Sequence, residues 1–210
     1  MKLIRPAGLS RGLLIAGLCL GAQSGRATTV LPPDFSELVN ESDYIVHAVV
    51  KSVDAQVQVT ANGRKIYTYV ELQVTEVVAG QPPNPLILRV LGGRVGQEEM
   101  ILQGAPKFTV GQEGIFFVQG NGRQIFPLVR IMHGLYPIQT EPGTKRKFIS
   151  RSNRVPLQST AQVALPMAEG SAAQLQDRFA STAQALSPEQ FKAEIRAAVK
   201  SDNSRLHREP

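Results

Sequence analysis

Residues 66–80 read IYTYVELQVTEVVAG, and their polarity alternates. Thr68, Val70, Leu72 and Val74 form one row; Tyr67, Tyr69, Glu71, Gln73 and Thr75 form the other. A period of two belongs to a strand with one face in a core and the other toward water. An amphipathic helix would repeat its apolar positions at three and four, so a helix is excluded here. Strands of parallel sheets are buried on both faces, so clean alternation predicts antiparallel pairing. The flanking chain must therefore supply a partner strand and a cover for one face.

The neighbouring segments meet that demand. DYIVHAVVKSVDAQVQVT, ending at Thr60, packs β-branched residues at Ile45, Val46, Val49, Val50 and Val53 and reads as a strand. Asn62-Gly63 then gives a hairpin turn signal. LILRVLGGRVG predicts a third strand, stopped by Gly92-Gly93. GAPKFTVGQEGIFFVQG, residues 104–120, holds enough glycine to suggest a phosphate loop. Such a loop must end on a helix N-terminus, with N–H groups facing the anion. Here the glycines lead into Ile115, Phe116, Phe117 and Val118, so Gly111 reads as a turn into a buried strand. Alternation allows one phenylalanine inward and one outward unless both faces are covered. QIFPLVRIMHGLYPIQ predicts one strand or a pair split near Gly134, and TEPGTKRKFISRS a Pro-Gly turn followed by a short basic strand.

Two helices bracket these strands. Pro33 and Asp34 suit the start of a short one carrying Phe35, Leu38 and Val39 on one face. Near the C-terminus, Ser187, Pro188 and Gln190 form a capping box, with Leu186 and Phe191 placed as a hydrophobic staple. Phe191, Ile195, Ala198 and Val199 make its apolar face. The predicted organisation is a signal peptide over 1–27, a β body over 28–155, an Ala/Gln/Ser-rich linker over 156–185, a helix over 186–200 and a disordered tail over 201–210.

The first 27 residues bear on the compartment. Lys2, Arg5 and Arg11 precede an apolar run from Gly12 to Ala22, and Gly25 and Ala27 sit at signal-peptidase spacing. The run is about 11 residues, where a membrane span needs about 20. Cleavage is expected between Ala27 and Thr28, giving a secreted or periplasmic protein with no transmembrane span in the mature chain. Leu18 before Cys19 argues against lipidation. Processing removes Lys2, Arg5, Arg11 and Arg26, so the 23 basic residues fall to 19 against 17 acids, and the formal +6 becomes +2. The high pI is thus partly a property of the targeting segment, and no nucleic-acid partner is expected. Cys19 is the one cysteine, so the mature chain has no thiol, disulfide or thiolate-bound metal.

Catalytic patterns are missing. His47, His133 and His207 are far apart and fit no zinc motif, so no metal is expected. Glu98 and Glu99 are adjacent in a glycine-rich loop, which gives no paired acid–base geometry. There is no Gly-x-Ser-x-Gly elbow and no phosphate-loop lysine. No catalytic residue and no cofactor are expected. The candidate binding residues are the basic run Lys145, Arg146, Lys147 and Arg151, extended by Arg154, and the tyrosines Tyr67 and Tyr69 on the polar row. The basic run suits an anionic surface such as lipid head groups, acidic glycans or an acidic protein, or else a solvated face.

Taken in order, FSELVNESDYIV, YTYVELQVTEVVAG, GAPKFTVGQEGIFFV, GLYPI and SPEQFKAEIR resemble a group of uncharacterised bacterial exported proteins, over about residues 30–155 and 186–200. The order of elements is also similar to the inhibitor-type OB barrel of tissue metalloproteinase inhibitors and netrin modules. That resemblance implies a mainly β fold, a small closed or partly open barrel with a short N-terminal and a C-terminal helix. Barrels of this type bind through a strand face and its loops. Those inhibitors chelate the protease zinc through an N-terminal cysteine, which this mature chain lacks. The expected function is an exported, non-enzymatic binding module for an unknown protein or an anionic envelope component. The alternative is a secreted protease inhibitor or an enzyme whose site the sequence does not display.

Overall fold

The computed structural model describes residues 31–60, 63–102, 104–167 and 181–206, with backbone alone over 202–206. Cys19, the cleavage pair Ala27 and Thr28, Asn62 and His207 lie outside the described residues.

The alternating segment is strand β2 (Gly63–Gly80). It pairs antiparallel with β1 (Tyr44–Thr60) along its whole length, from Tyr44↔Gly80 to Thr60↔Gly63. The strands that follow are β3 (Leu86–Leu91), β4 (Gly93–Val95), β5 (Glu98–Met100), β6 (Glu113–Val118), β7 (Leu135–Thr140) and β8 (Lys147–Ile149). Six of them form one antiparallel sheet in the order β3-β2-β1-β6-β7-β8, while β4 and β5 form a separate ribbon. The protein is mainly β, with helices α1 (Phe35–Asn40) and α2 (Pro188–Leu206).

The third strand stops at Gly92, as its sequence predicts, where φ is +102°, and the chain resumes after that break as β4. The Gly92 N–H still bonds the Ile66 carbonyl at 2.8 Å, which hands the chain from β3 to the ribbon. A Cβ on Gly93 would stand 2.3 Å from Thr68 Oγ1, so only glycine lets β4 approach the hairpin this closely. The segment before Gly134 makes one bridge, Val118↔Leu128, and a 3-10 turn over Ile131–Gly134; only β7 is a strand.

The sheet is covered on both faces. Val46, Ala48, Val50, Val70, Leu88 and Phe116 belong to one core; Ile45, Leu38, Phe117, Tyr136, Phe191 and Ile195 belong to the other. Phe116 and Phe117 are both 0% exposed. The one-in, one-out expectation therefore fails, because the helices cover the second face. Phe191 of α2 lies 5.9 Å from Phe35, 6.0 Å from Phe117 and 5.0 Å from Tyr136, centroid to centroid. These are normal separations for attractive aromatic pairs.

Both helices start as their sequences direct. Asp34 Oδ1 accepts from Glu37 N–H at 2.7 Å, and Glu37 Oε2 accepts from Asp34 N–H at 3.0 Å. At α2, Gln190 N–H donates to Ser187 Oγ at 3.2 Å and Ser187 N–H to Gln190 Oε1 at 2.9 Å. The helix runs on to Leu206, past the expected end at 200. The described parts of the expected linker are packed chain. Leu157 and Val163 are 0% exposed, and Leu157 N–H bonds the Ile149 carbonyl at 2.9 Å. Their apolar side chains are sparse in sequence, but the second core takes them in.

Register irregularities at Ile45/Val46, His47/Ala48 and Val50/Ser52 interrupt the β1–β2 ladder. Bulges raise local twist and bend the strand. The sheet curls until the segment after β6 reaches the outer edge of β3. Leu91 N–H bonds the Ile125 carbonyl at 2.9 Å, Arg89 N–H bonds Asn121 Oδ1 at 3.2 Å, and Asn121 Nδ2 donates to the Ile87 carbonyl at 2.8 Å. A side-chain amide thus stands in for a strand along that edge. No ladder joins β3 to β8 among the described residues, so no closed barrel is present there.

Candidate functional site

The outer row of β2 is the first candidate surface. Tyr67 and Tyr69 lie on the side opposite Val70 and Leu72, as alternation requires. They differ in exposure. Tyr67 is 8% exposed, because Arg89 of β3 stacks over its ring with Cζ 5.0 Å from the centroid. Arg89 is held in turn by the Gly122 carbonyl, 2.8 Å from its Nη2. Tyr69 is half-buried, and its hydroxyl accepts from Gln58 Nε2 of β1. Ile87 and Ile125, 41% and 50% exposed, flank this patch. A hydrogen-bonded loop carries Ile125, and Ile87 is on the outer row of β3, so the apolar exposure is fixed in place. Tyrosine, arginine and exposed isoleucine are a composition found at the centres of protein interfaces.

The basic run does not come together as a patch. Arg151 is 4% exposed and donates to the carbonyls of Leu165 and of Pro166, the latter at 3.4 Å. Burial lowers its pKa from the ordinary guanidinium value. Arg146 donates to the carbonyls of Thr182 and Ala185 and pairs with Glu141, fastening the segment before α2. Lys147 pairs with Glu113 at 2.7 Å. Lys145 and Arg154 remain exposed, both in left-handed turn conformations at φ 60° and 68°. Arg146 and Arg151 are thereby committed to structural contacts, while Lys145, Lys147 and Arg154 face water, Lys147 in an exposed pair with Glu113.

A polar belt that local sequence does not reveal crosses the helix-covered face. His47 of β1 pairs in register with Glu76 of β2 and Ile115 of β6, so Glu113 is its diagonal neighbour. His47 Nε2 lies 2.9 Å from Glu113 Oε1. Burial would raise the pKa of Glu113, but hydrogen bonds from Lys147 and His47 outweigh it and hold the carboxyl below its ordinary range. On the other side, Glu76 accepts from both Lys192 and Arg196 of α2, and Lys192 also meets Glu189 at 2.7 Å. The Lys192 side chain is 3% exposed, so this pairing anchors α2 to the sheet. Only the i,i+3 pair Glu189–Lys192 has a local signal; the other contacts span strands far apart in sequence.

A histidine beside a carboxylate can act as a general base when a nucleophile lies within reach. Here Glu113 is already bonded to Lys147, and the nearby Thr75 hydroxyl is bonded to the His47 carbonyl at 2.9 Å. The geometry is that of a strap. His133 is a second buried histidine, 4% exposed, whose pKa is lowered to about 4 by burial, then by Arg151 and Arg130. It is neutral across the ordinary pH range.

Among the described residues no group of three or more His, Cys, Asp or Glu side chains could hold a metal. A cleft of about 260 Å³ between the hairpin and the ribbon is lined by Val57, Ile66 and Met100, with Arg64 and Glu98 paired at 2.9 Å on its wall. Its volume is below the usual range for small-molecule sites. Among the described residues no helix is long and apolar enough to cross a membrane. No family model and no curated protein matches the chain.

Proposed function

We propose that the chain is an exported, non-enzymatic binding module that holds a protein partner on the outer face of β2 and β3. One observation carries this: the Tyr67–Arg89–Asn121 assembly, with Ile87 and Ile125 beside it, keeps aromatic, guanidinium and apolar groups exposed or near the surface in a fixed arrangement. Preorganised side chains lose less entropy on binding. A protein is favoured over an anionic envelope component, since Arg146 and Arg151 are engaged internally and Lys147 is paired with Glu113.

Export rests on the pattern of residues 1–27, with processing between Ala27 and Thr28. The architecture belongs to the same proposal, as a partly open OB-like barrel. The curl of β1 and β2, and the bonds from Asn121 and Ile125 to β3, support it. The test is capture from an envelope extract of the exporting cell by immobilised wild type, Tyr69→Ala and Arg89→Ala. The expected result is a protein retained by wild type and lost from both variants, with unchanged circular dichroism. Equal capture by all three would overturn the proposal.

A further inference from the structure

The sheet ends are covered, but one stretch of strand edge is not. Asn121 and Ile125 occupy the edge of β3, and Leu186 N–H meets the Leu157 carbonyl at 2.8 Å beside β8. On β1, β6 covers only Tyr44–Val49, and Gln112 and Gly111 then bond Val50 at 2.9 and 2.8 Å. From Ser52 to Val59 no backbone group among the described residues bonds the side of β1 facing away from β2. The β4–β5 ribbon packs on a face of this arm, not along its edge.

Edge strands are ordinarily protected by charge, proline or brevity. This one is long, has no proline and carries a single charge. Residues 52–60 read SVDAQVQVT, with Asp54 the one charge and no proline or glycine. Val53 and Val59 are 38% and 78% exposed.

We infer that this edge pairs antiparallel with the same edge of a second copy of the chain, about a two-fold axis at Gln56. The pairing is self-complementary. Val53 falls opposite Val59 of the second copy, Ala55 opposite Val57, and Gln56 opposite Gln56. Asp54 meets Gln58, so no like charges oppose each other, a contact that would be destabilising. Counting the ladder back from the Thr60↔Gly63 pair leaves the N–H and C=O groups of Val53, Ala55, Val57 and Val59 facing outward. Those residues form the new bonds, and each copy gains strand pairing without losing any of its own. The interface is isologous and closes as a dimer. It uses the backbone edge and is independent of the partner face on β2 and β3.

Cross-linking and sedimentation test this on the chain expressed from its complete coding sequence. In a Cys19→Ser background, Gln56→Cys supplies the single thiol. Directly opposed residues in a non-bonded antiparallel pair have Cα atoms about 4.5 Å apart, within disulfide reach. Mild oxidation should give a disulfide dimer about tenfold or more faster than Lys145→Cys at equal concentration. Sedimentation at about 100 μM should show a dimer for wild type and a monomer for Val59→Lys and Val57→Pro. Val59 is 78% exposed and the Val57 N–H has no backbone partner among the described residues, so both variants should stay folded, with the wild-type circular dichroism spectrum. A monomeric wild type, a dimer that persists in Val59→Lys, or equal cross-linking at 56 and 145 would overturn the inference.

Discussion

Truncating Phe116 and Phe117 separately tests the burial of the sheet on both faces. Each ring is fully buried, but in a different core. Phe116 packs with the cluster of Val46, Val70 and Leu88, while Phe117 contacts Tyr136 edge-on at 5.4 Å and Phe191 at 6.0 Å. Phe→Ala in a packed core costs about 3–5 kcal/mol, and Phe117 also loses two ring pairs worth about 0.5–1.5 kcal/mol each. Both variants should therefore fall by at least about 3 kcal/mol, with Phe117→Ala the lower. Against a total stability of about 5–15 kcal/mol, each would stay folded with a clearly lowered midpoint, and the double variant would be marginal or unfolded. The assay is urea denaturation followed by circular dichroism, with the slope checked for constancy so that the midpoint reports stability. A strand buried on one face would give one severe and one mild variant. A loss below about 1.5 kcal/mol at either position would refute two-faced burial.

The ion pairs, the two pH windows and the turn at Gly111 each give a measurable outcome. Glu76→Gln should cost about 3 kcal/mol in chemical denaturation, because it removes a carboxylate partner from the buried Lys192; a change within error would mean that Glu189 alone satisfies that ammonium. His133 titrates at about 4 when folded against 6.5 ordinarily. Below 6.5 the unfolded chain takes up a proton that the folded chain refuses. Stability should thus fall by up to about 3 kcal/mol as the pH drops through that window, and His133→Gln should remove this slope in denaturant melts at stepped pH. The lowered carboxyl groups of Glu76, Glu113 and Glu141 withdraw their support at lower pH, below their ordinary 4.5. Gly111 has φ +84° in open space, so Gly111→Val should cost about 1–3 kcal/mol through backbone strain alone, and Gly111→Asn, which tolerates that conformation, distinctly less by thermal melting.

Local signals revealed much of the secondary structure. The alternation of β2, the capping box at Ser187 and the turn at Gly111 are each encoded within a few residues. Two-faced burial was not legible at Phe116 and Phe117, because the cover on the second face comes from Phe35 and Phe191, remote in sequence. Arg146 and Arg151 looked like free surface charge for the same reason: their carbonyl partners lie in the segments at 165–166 and 182–185. The polar belt was hidden because His47, Glu76, Glu113 and Lys192 meet only through strand register and helix docking. Alternation alone puts Tyr67 and Tyr69 on the row opposite Val70 and Leu72, where the structure has them. The shielding of Tyr67 depends on Arg89, which β3 brings into line through the pairing Tyr69↔Arg89.

The proposed binding face is tested most directly by a photoreactive phenylalanine at position 69, illuminated in the cell that produces the protein. A protein binding module with its site on β2 and β3 predicts one discrete adduct with a protein other than this chain. That adduct should disappear in the Arg89→Ala background and be absent when the probe is at position 145. An adduct formed only from position 145, or one at 69 that survives Arg89→Ala, would contradict it.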